Sequence, residues 1–92
     1  MYFVYILKSF KTNRYYIGQT SNLKLRLREH NLGLVKSTQF GRPWKLRYWE
    51  SYLTRAEAMK RERQLKSYKH GRAFKKLLEK SAERPNVPPT AG

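Results

Sequence analysis

Residues 15–30 read YYIGQTSNLKLRLREH, and the change of character part-way along this stretch decides how the rest of the chain is arranged. Tyr15, Tyr16 and Ile17 are aromatic and β-branched, which suits a pleated strand, and Gly18 ends the run. Gln19, Thr20, Ser21 and Asn22 follow as a small polar turn. Leu23 and Leu27 then recur one turn apart among basic residues, which marks a helix from about Asn22 to Asn31. A glycine followed by hydroxyl and amide side chains ahead of such a pattern is where a strand hands over to a helix N-terminus. The handover brings Tyr16 near Arg26 and His30, an i, i+4 pair that leaves the edge of the packed helix face, while Leu25 points to solvent.

Upstream, residues 2–8 (YFVYILK) contain no breaker and read as a strand buried on both faces, with Phe3, Tyr5 and Leu7 on one side and Tyr2, Val4 and Ile6 on the other. Residues 9–14 (SFKTNR) form a hairpin loop, so residues 15–18 return antiparallel. A register whose pair numbers sum to an odd value, such as Tyr5 opposite Tyr16 or Gly18, sets Tyr5 and Tyr16 on one face.

Downstream, residues 32–43 (LGLVKSTQFGRP) have no period and read as a loop. Residues 44–53 alternate as a third strand, with Leu46, Tyr48, Glu50 and Tyr52 on one side. Thr54-Arg55-Ala56-Glu57 is a capping box opening a helix to about Ser67, with the apolar stripe Ala58, Met59 and Leu65. Gly71 interrupts, and residues 72–80 form a last helix on Phe74, Leu77 and Leu78. Three prolines and no apolar stripe make residues 81–92 a disordered tail behind a single domain over 1–80.

The 92 residues suffice for one domain with a small, aromatic-rich core. With 21 Lys and Arg against 6 acidic residues the formal charge is +15, a self-repulsion that points to a polyanionic partner. The basic residues are spread over every element, which favours nucleic acid over a membrane surface. The absence of cysteine excludes disulfides and thiolate metal sites, and His30 and His70 are too few for a zinc cage. No segment resembles a secretory signal, and the longest apolar run is too short to span a bilayer, so a soluble cytoplasmic protein is expected.

Glu62 sits within the inward stripe of its helix, i+4 from Ala58 and i−3 from Leu65. A carboxylate there needs a cation. Either a neighbouring base supplies it, or Glu62 holds one divalent ion together with water and substrate phosphate oxygens, as suits Mg²⁺. Taken singly, Arg26 and His30 are also consistent with a solvated basic helix face, and Tyr5 and Tyr16 with core rings whose hydroxyls reach the rim.

Together these residues resemble a known signature. Phe3-Val4-Tyr5 followed by Tyr16-Ile17-Gly18, Arg26 and His30 in RLREHN, Lys36-Ser37-Thr38 ahead of Pro43-Trp44-Lys45-Leu46, and Glu62 in KRERQLK are similar to the GIY-YIG nuclease superfamily over residues 2–80. The likeness is to its small single-domain branch, and the same module forms the nuclease part of the bacterial excision-repair incision subunit. The resemblance implies an α/β (α+β) fold, a three-stranded antiparallel sheet flanked by helices. It further implies an endonuclease that uses Mg²⁺ or Mn²⁺ to hydrolyse DNA, branched or linear, with RNA left open. Carried over, Glu62 holds the metal against the leaving 3′-oxygen, and Arg26 binds the scissile phosphate. Tyr5 acts as general base with Tyr16 and His30 positioning the water, or His30 is the base and Tyr5 orients the water. Lys36, Thr38, Arg42, Lys45 and Lys66 are expected to contact nucleic acid. Two positions depart from the pattern: Phe3 replaces the glycine of the family name, and GRAFKKLLEK lacks the asparagine that some members carry there. A noncatalytic nucleic-acid-binding module that keeps the fold is the competing expectation.

Overall fold

The computed structural model describes residues 1–69 and 71–81, so the tail expected over 81–92 lies, from residue 82 on, outside the described residues. Strands β1 (Tyr2–Ser9) and β2 (Tyr15–Thr20) precede helix α1 (Leu23–Asn31) and a 3₁₀ helix (Lys36–Gly41), and β3 (Trp44–Tyr52), α2 (Arg55–Tyr68) and α3 (Arg72–Ser81) follow. The strands form one three-stranded antiparallel sheet in the order β2-β1-β3. The unbroken apolar strand is therefore the central one, and its two faces seed two cores. Phe3, Tyr5 and Leu7 pack with Leu23, Trp44 and Leu46 on the α1 side. Val4 and Ile6 pack with Ile17, Tyr48, Ala58, Leu65, Phe74 and Leu78 under α2 and α3. Burying each large apolar side chain contributes roughly 1.5–3 kcal/mol, so a sheet covered on both faces suits a chain this short.

Phe3, at the position of the family glycine, is buried against the edge of Trp49 with ring centroids 6.0 Å apart. Leu25 is exposed, as its place on the helix predicts. Thr54 caps α2 by accepting from the Glu57 N–H at 3.2 Å, and Asn22 caps α1 through Oδ1 to the Leu25 N–H at 3.1 Å.

Four expectations are corrected. Strand β2 runs on through Gln19 and Thr20, which pair with Val4 and Phe3, because the backbone of the buried start of β1 needs partners whatever side chains the edge strand carries. On β3, Leu46 and Tyr48 do not share a face. A bulge at Arg47 lets Leu46 pair with Leu7 and Tyr48 with Ile6, so the face flips between them. Met59 is 46% exposed, since it follows Ala58 by one residue and lies about 100° round the helix from it. The 32–43 loop is largely folded. Trp44 Nε1–H donates to the Thr38 carbonyl at 2.8 Å, and the Asn31 amide bonds both the N–H and the carbonyl of Trp44 at 2.6 and 3.0 Å.

Candidate active site

The register places the first two site residues. Tyr5 lies opposite Gly18 and Leu7 opposite Tyr16, so both tyrosines face α1, with ring centroids 6.3 Å apart. Gly18 is required by this geometry: a Cβ built there would stand 2.5 Å from the Tyr5 hydroxyl oxygen. Helix α1 then lays His30 onto the same face, fully buried, with its ring edge-on to Tyr16 at 5.0 Å and to Tyr5 at 5.7 Å. One turn earlier, the Arg26 guanidinium reaches the Tyr5 hydroxyl and pairs with Glu29 at 3.3 Å.

Both imidazole nitrogens are engaged. Nε2 lies 2.8 Å from the Tyr5 hydroxyl, and Nδ1 lies 2.7 Å from Thr38 Oγ1. The Thr38 hydroxyl has a single proton, which it donates to the Val35 carbonyl at 3.3 Å. It therefore accepts from Nδ1–H, which leaves Nε2 bare to accept from Tyr5 O–H. Every bond in this chain runs the same way, from Tyr5 to His30 to Thr38 to Val35. Thr38, expected to touch nucleic acid, is instead 1% exposed and orients the histidine, because its 3₁₀ turn packs onto α1.

The electrostatics follow from burial. Desolvation, with repulsion from Arg26, brings His30 down to about 4, so the ring is neutral near pH 7. Burial also pushes the Tyr5 phenol well above its usual value, with the Arg26 hydrogen bond opposing. Burial pulls the Arg26 guanidinium down, but its hydrogen bonds to Tyr5 and Glu29 outweigh that and leave it raised.

Glu62 comes from the opposite side of the sheet, on α2, and is not hydrogen-bonded to the other four. It acts on Tyr5 only through its charge, which raises the phenol further. Its carboxylate is 20% exposed and pairs with Lys66 Nζ at 2.6 Å. Lys66 is 56% exposed, so this is an i, i+4 surface pair that stabilises by about 0.5 kcal/mol and is easily exchanged for another cation. Lys36, Arg42 and Lys45 are all exposed.

No cluster of three or more His, Cys, Asp or Glu occurs among the described residues, so these present no closed metal cage. One carboxylate still fits a divalent ion that keeps its waters and borrows substrate oxygens. Gln19, which pairs with Val4 of the core under α2, buries its Oε1 with no hydrogen-bond partner among the described residues.

Several supporting residues were not legible in the sequence. Thr38 and Ser9 act across 8 and 32 residues, to His30 and to the Gly41 carbonyl, and no local period signals either. On the far face, Glu50 takes a two-pronged grip from Arg61 at 2.8 and 3.0 Å and accepts from the Tyr48 and Tyr52 hydroxyls. Those bonds hold the Glu50 carboxyl below the usual range despite the opposing burial.

A sequence model of the GIY-YIG catalytic domain matches residues 1–76. The chain belongs to the GIY-YIG nuclease family. A UPF0213 protein of Staphylococcus haemolyticus is 36% identical over 80 residues, covering 86% of this chain and 96% of the relative. One from Staphylococcus epidermidis is 37% identical over 79 residues, covering 85% and 95%. A UPF0213 protein of Staphylococcus aureus is 35% identical over 80 residues. Members of the GIY-YIG family are nucleases that act on DNA with divalent metal ions. None of the helices among the described residues is long and apolar enough to cross a membrane.

Proposed function

We propose that this GIY-YIG domain is a divalent-metal-dependent endonuclease that hydrolyses phosphodiester bonds of DNA. The observation that carries the reading is the one-way hydrogen-bond chain from Tyr5 through His30 to Thr38, buried beside the Arg26 guanidinium. It leaves a neutral imidazole with its free lone pair aimed at a phenol proton.

A water gives its proton to the Tyr5 oxygen as the Tyr5 proton passes to His30 Nε2. The water oxygen bonds to phosphorus as the bond from phosphorus to the 3′-oxygen breaks. The departing oxygen takes a proton from solvent water, giving a 5′-phosphate and a 3′-hydroxyl, and His30 later returns its proton to solvent. Passing the proton on avoids a free phenolate, which the burial of Tyr5 makes costly. Arg26 binds the scissile phosphate and offsets the charge that grows on it. Phosphate bound there also neutralises the cation that depresses His30, so substrate makes the imidazole a better base. Tyr16, beside both rings, orients the water. Glu62 would hold Mg²⁺ or Mn²⁺ together with water and substrate oxygens, and the ion would supply Lewis-acid stabilisation of the leaving oxygen. Lys36, Arg42, Lys45 and Lys66 are assigned to the phosphates of the bound strand, and the cytoplasm is the compartment in which such a protein would work.

The test is a cleavage assay with Mg²⁺ or Mn²⁺ over branched and linear DNA. Glu62→Ala is expected to abolish metal-dependent nicking while binding in EDTA persists, and Arg26→Ala to slow cleavage by about 10²-fold or more. A parent that never cuts, with both variants weakening binding equally, would establish the noncatalytic binding module, in which Glu62 serves only its ion pair with Lys66.

A further inference from the structure

Two loops meet at the end of the sheet beside the 3₁₀ helix. Ser9 Oγ donates to the Gly41 carbonyl at 2.6 Å, and the Phe10 N–H donates to the Pro43 carbonyl at 3.0 Å. Ser9 also accepts from the Lys11 and Thr12 N–H groups at 3.1 and 2.9 Å, so the hairpin tip is held in one conformation. On these tied segments two phenylalanines face solvent: Phe10 is 62% exposed and Phe40 81% exposed. Each is one residue from the Ser9–Gly41 bond, which limits their Cα atoms to about 15 Å apart. Large rings exposed on a well-held backbone mark a surface meant to be covered.

The surrounding charge says by what. Lys45 Nζ stands 5.9 Å from the Phe10 ring, and Lys11, Lys36 and Arg42 are exposed on the same two segments. No acidic residue occurs in positions 1–28 or 30–49. An apolar protein partner would have to bury these cations with nothing to neutralise them, and a second copy of this chain would bring a further charge of +15 against them. A nucleic-acid strand offers both things required, a flat base for each ring and a phosphate for each cation. Bases paired in a duplex are already stacked on their neighbours, so only unpaired ones can lie on a phenyl ring. The platform adjoins the candidate active site: Thr38 of the 3₁₀ helix bonds His30 from within, Phe40 points outward two residues later, and Trp44 lies edge-on to Tyr16 at 6.3 Å.

We propose that Phe10 and Phe40 form a base-stacking platform for unpaired nucleotides of a DNA strand, with Lys11, Arg42 and Lys45 on its phosphates. The proposal rests on the reading that this protein acts on DNA, and it names the part of the substrate that the site prefers.

The test is binding of the full chain in EDTA, so that failure to cleave does not bear on it. The probes are a fluorescent 20-nucleotide single strand, its duplex, and an abasic strand of equal length and charge. The parent should bind the single strand at least about tenfold more tightly than the abasic strand. A Phe10→Ala/Phe40→Ala variant should lose about tenfold or more on the single strand, while its affinity for duplex and its thermal midpoint stay those of the parent. Lys45→Ala should weaken all three probes alike and lower the salt dependence. A 2-aminopurine placed in the strand should be quenched by the parent and not by the double variant. Equal binding of abasic and normal strands, equal loss on strand and duplex, or a parent dimer that the double variant abolishes would each overturn the platform. A parent that binds none of the probes would overturn the nucleic-acid reading itself and the platform with it.

Discussion

His30 makes a fold-stability claim as well as a catalytic one. Its pKa is about 4 in the folded protein and about 6.5 in an unfolded chain, so between those values the unfolded state binds more protons. Stability from this residue is complete above about pH 6.5 and is lost as the pH falls toward 4, by on the order of 3 kcal/mol. Glu50, with its carboxyl held low, loses its contribution only at more acid pH, so the two windows separate. Denaturant melts from pH 7 to pH 4 should show the decline in the parent and a flatter profile in His30→Leu, whose absolute stability is a separate matter. Thr38→Val removes the hydroxyl while keeping the shape. We expect about a tenfold fall in kcat at nearly constant KM, rescue by Thr38→Ser, and a shift of the imidazole proton away from Nδ1 visible in ¹⁵N spectra of the ring. An unchanged ring tautomer would remove Thr38 from the proton chain. Gly18→Ala drives a methyl into the Tyr5 hydroxyl, so it should cost more in turnover than in melting temperature.

At the scale of elements, what the sequence revealed depended on how local each cause is. The two faces of β1, the caps at Asn22 and Thr54 and the leucine spacing of α1 are set by neighbours a few residues apart, and they were readable. The bulge at Arg47 was not. Periodicity carries no mark of an inserted residue, and only pairing with β1 reveals that Leu46 and Tyr48 part company there. Thr38 was misread for a similar reason: a threonine in a glycine-bearing basic loop looks solvated until α1 covers it. The Glu50–Arg61 grip, which ties β3 to α2 across 11 residues, was hidden because either residue alone passes for surface charge. Its removal should be expensive. Arg61→Leu leaves Glu50, 15% exposed, with only two tyrosine hydroxyls, and we expect about 2 kcal/mol of destabilisation in urea melts, less than for a fully buried pair. Replacing Lys66, whose partner Glu62 is already near water, should change stability by less than about 0.5 kcal/mol. If the two substitutions cost the same, Arg61 is not what holds β3 against α2.

The 92 residues together carry +15, and that charge acts on folding and on binding with opposite signs. Folded, the cations are crowded within a few Debye lengths of one another. Raising salt from about 0.02 to 0.3 M shortens that length from roughly 20 Å to under 6 Å and relieves the repulsion. The free protein should therefore melt at a higher temperature in 0.3 M NaCl than in 0.02 M. Over the same range its affinity for duplex DNA should fall, with a log–log slope of about −0.9 per phosphate neutralised. Adding DNA at low salt should raise the melting temperature by mass action, and that rise should disappear at high salt as binding is lost. Melting temperature measured against salt, with and without DNA, would thus give two lines that converge. Parallel lines would mean that the basic surface is not what meets the nucleic acid.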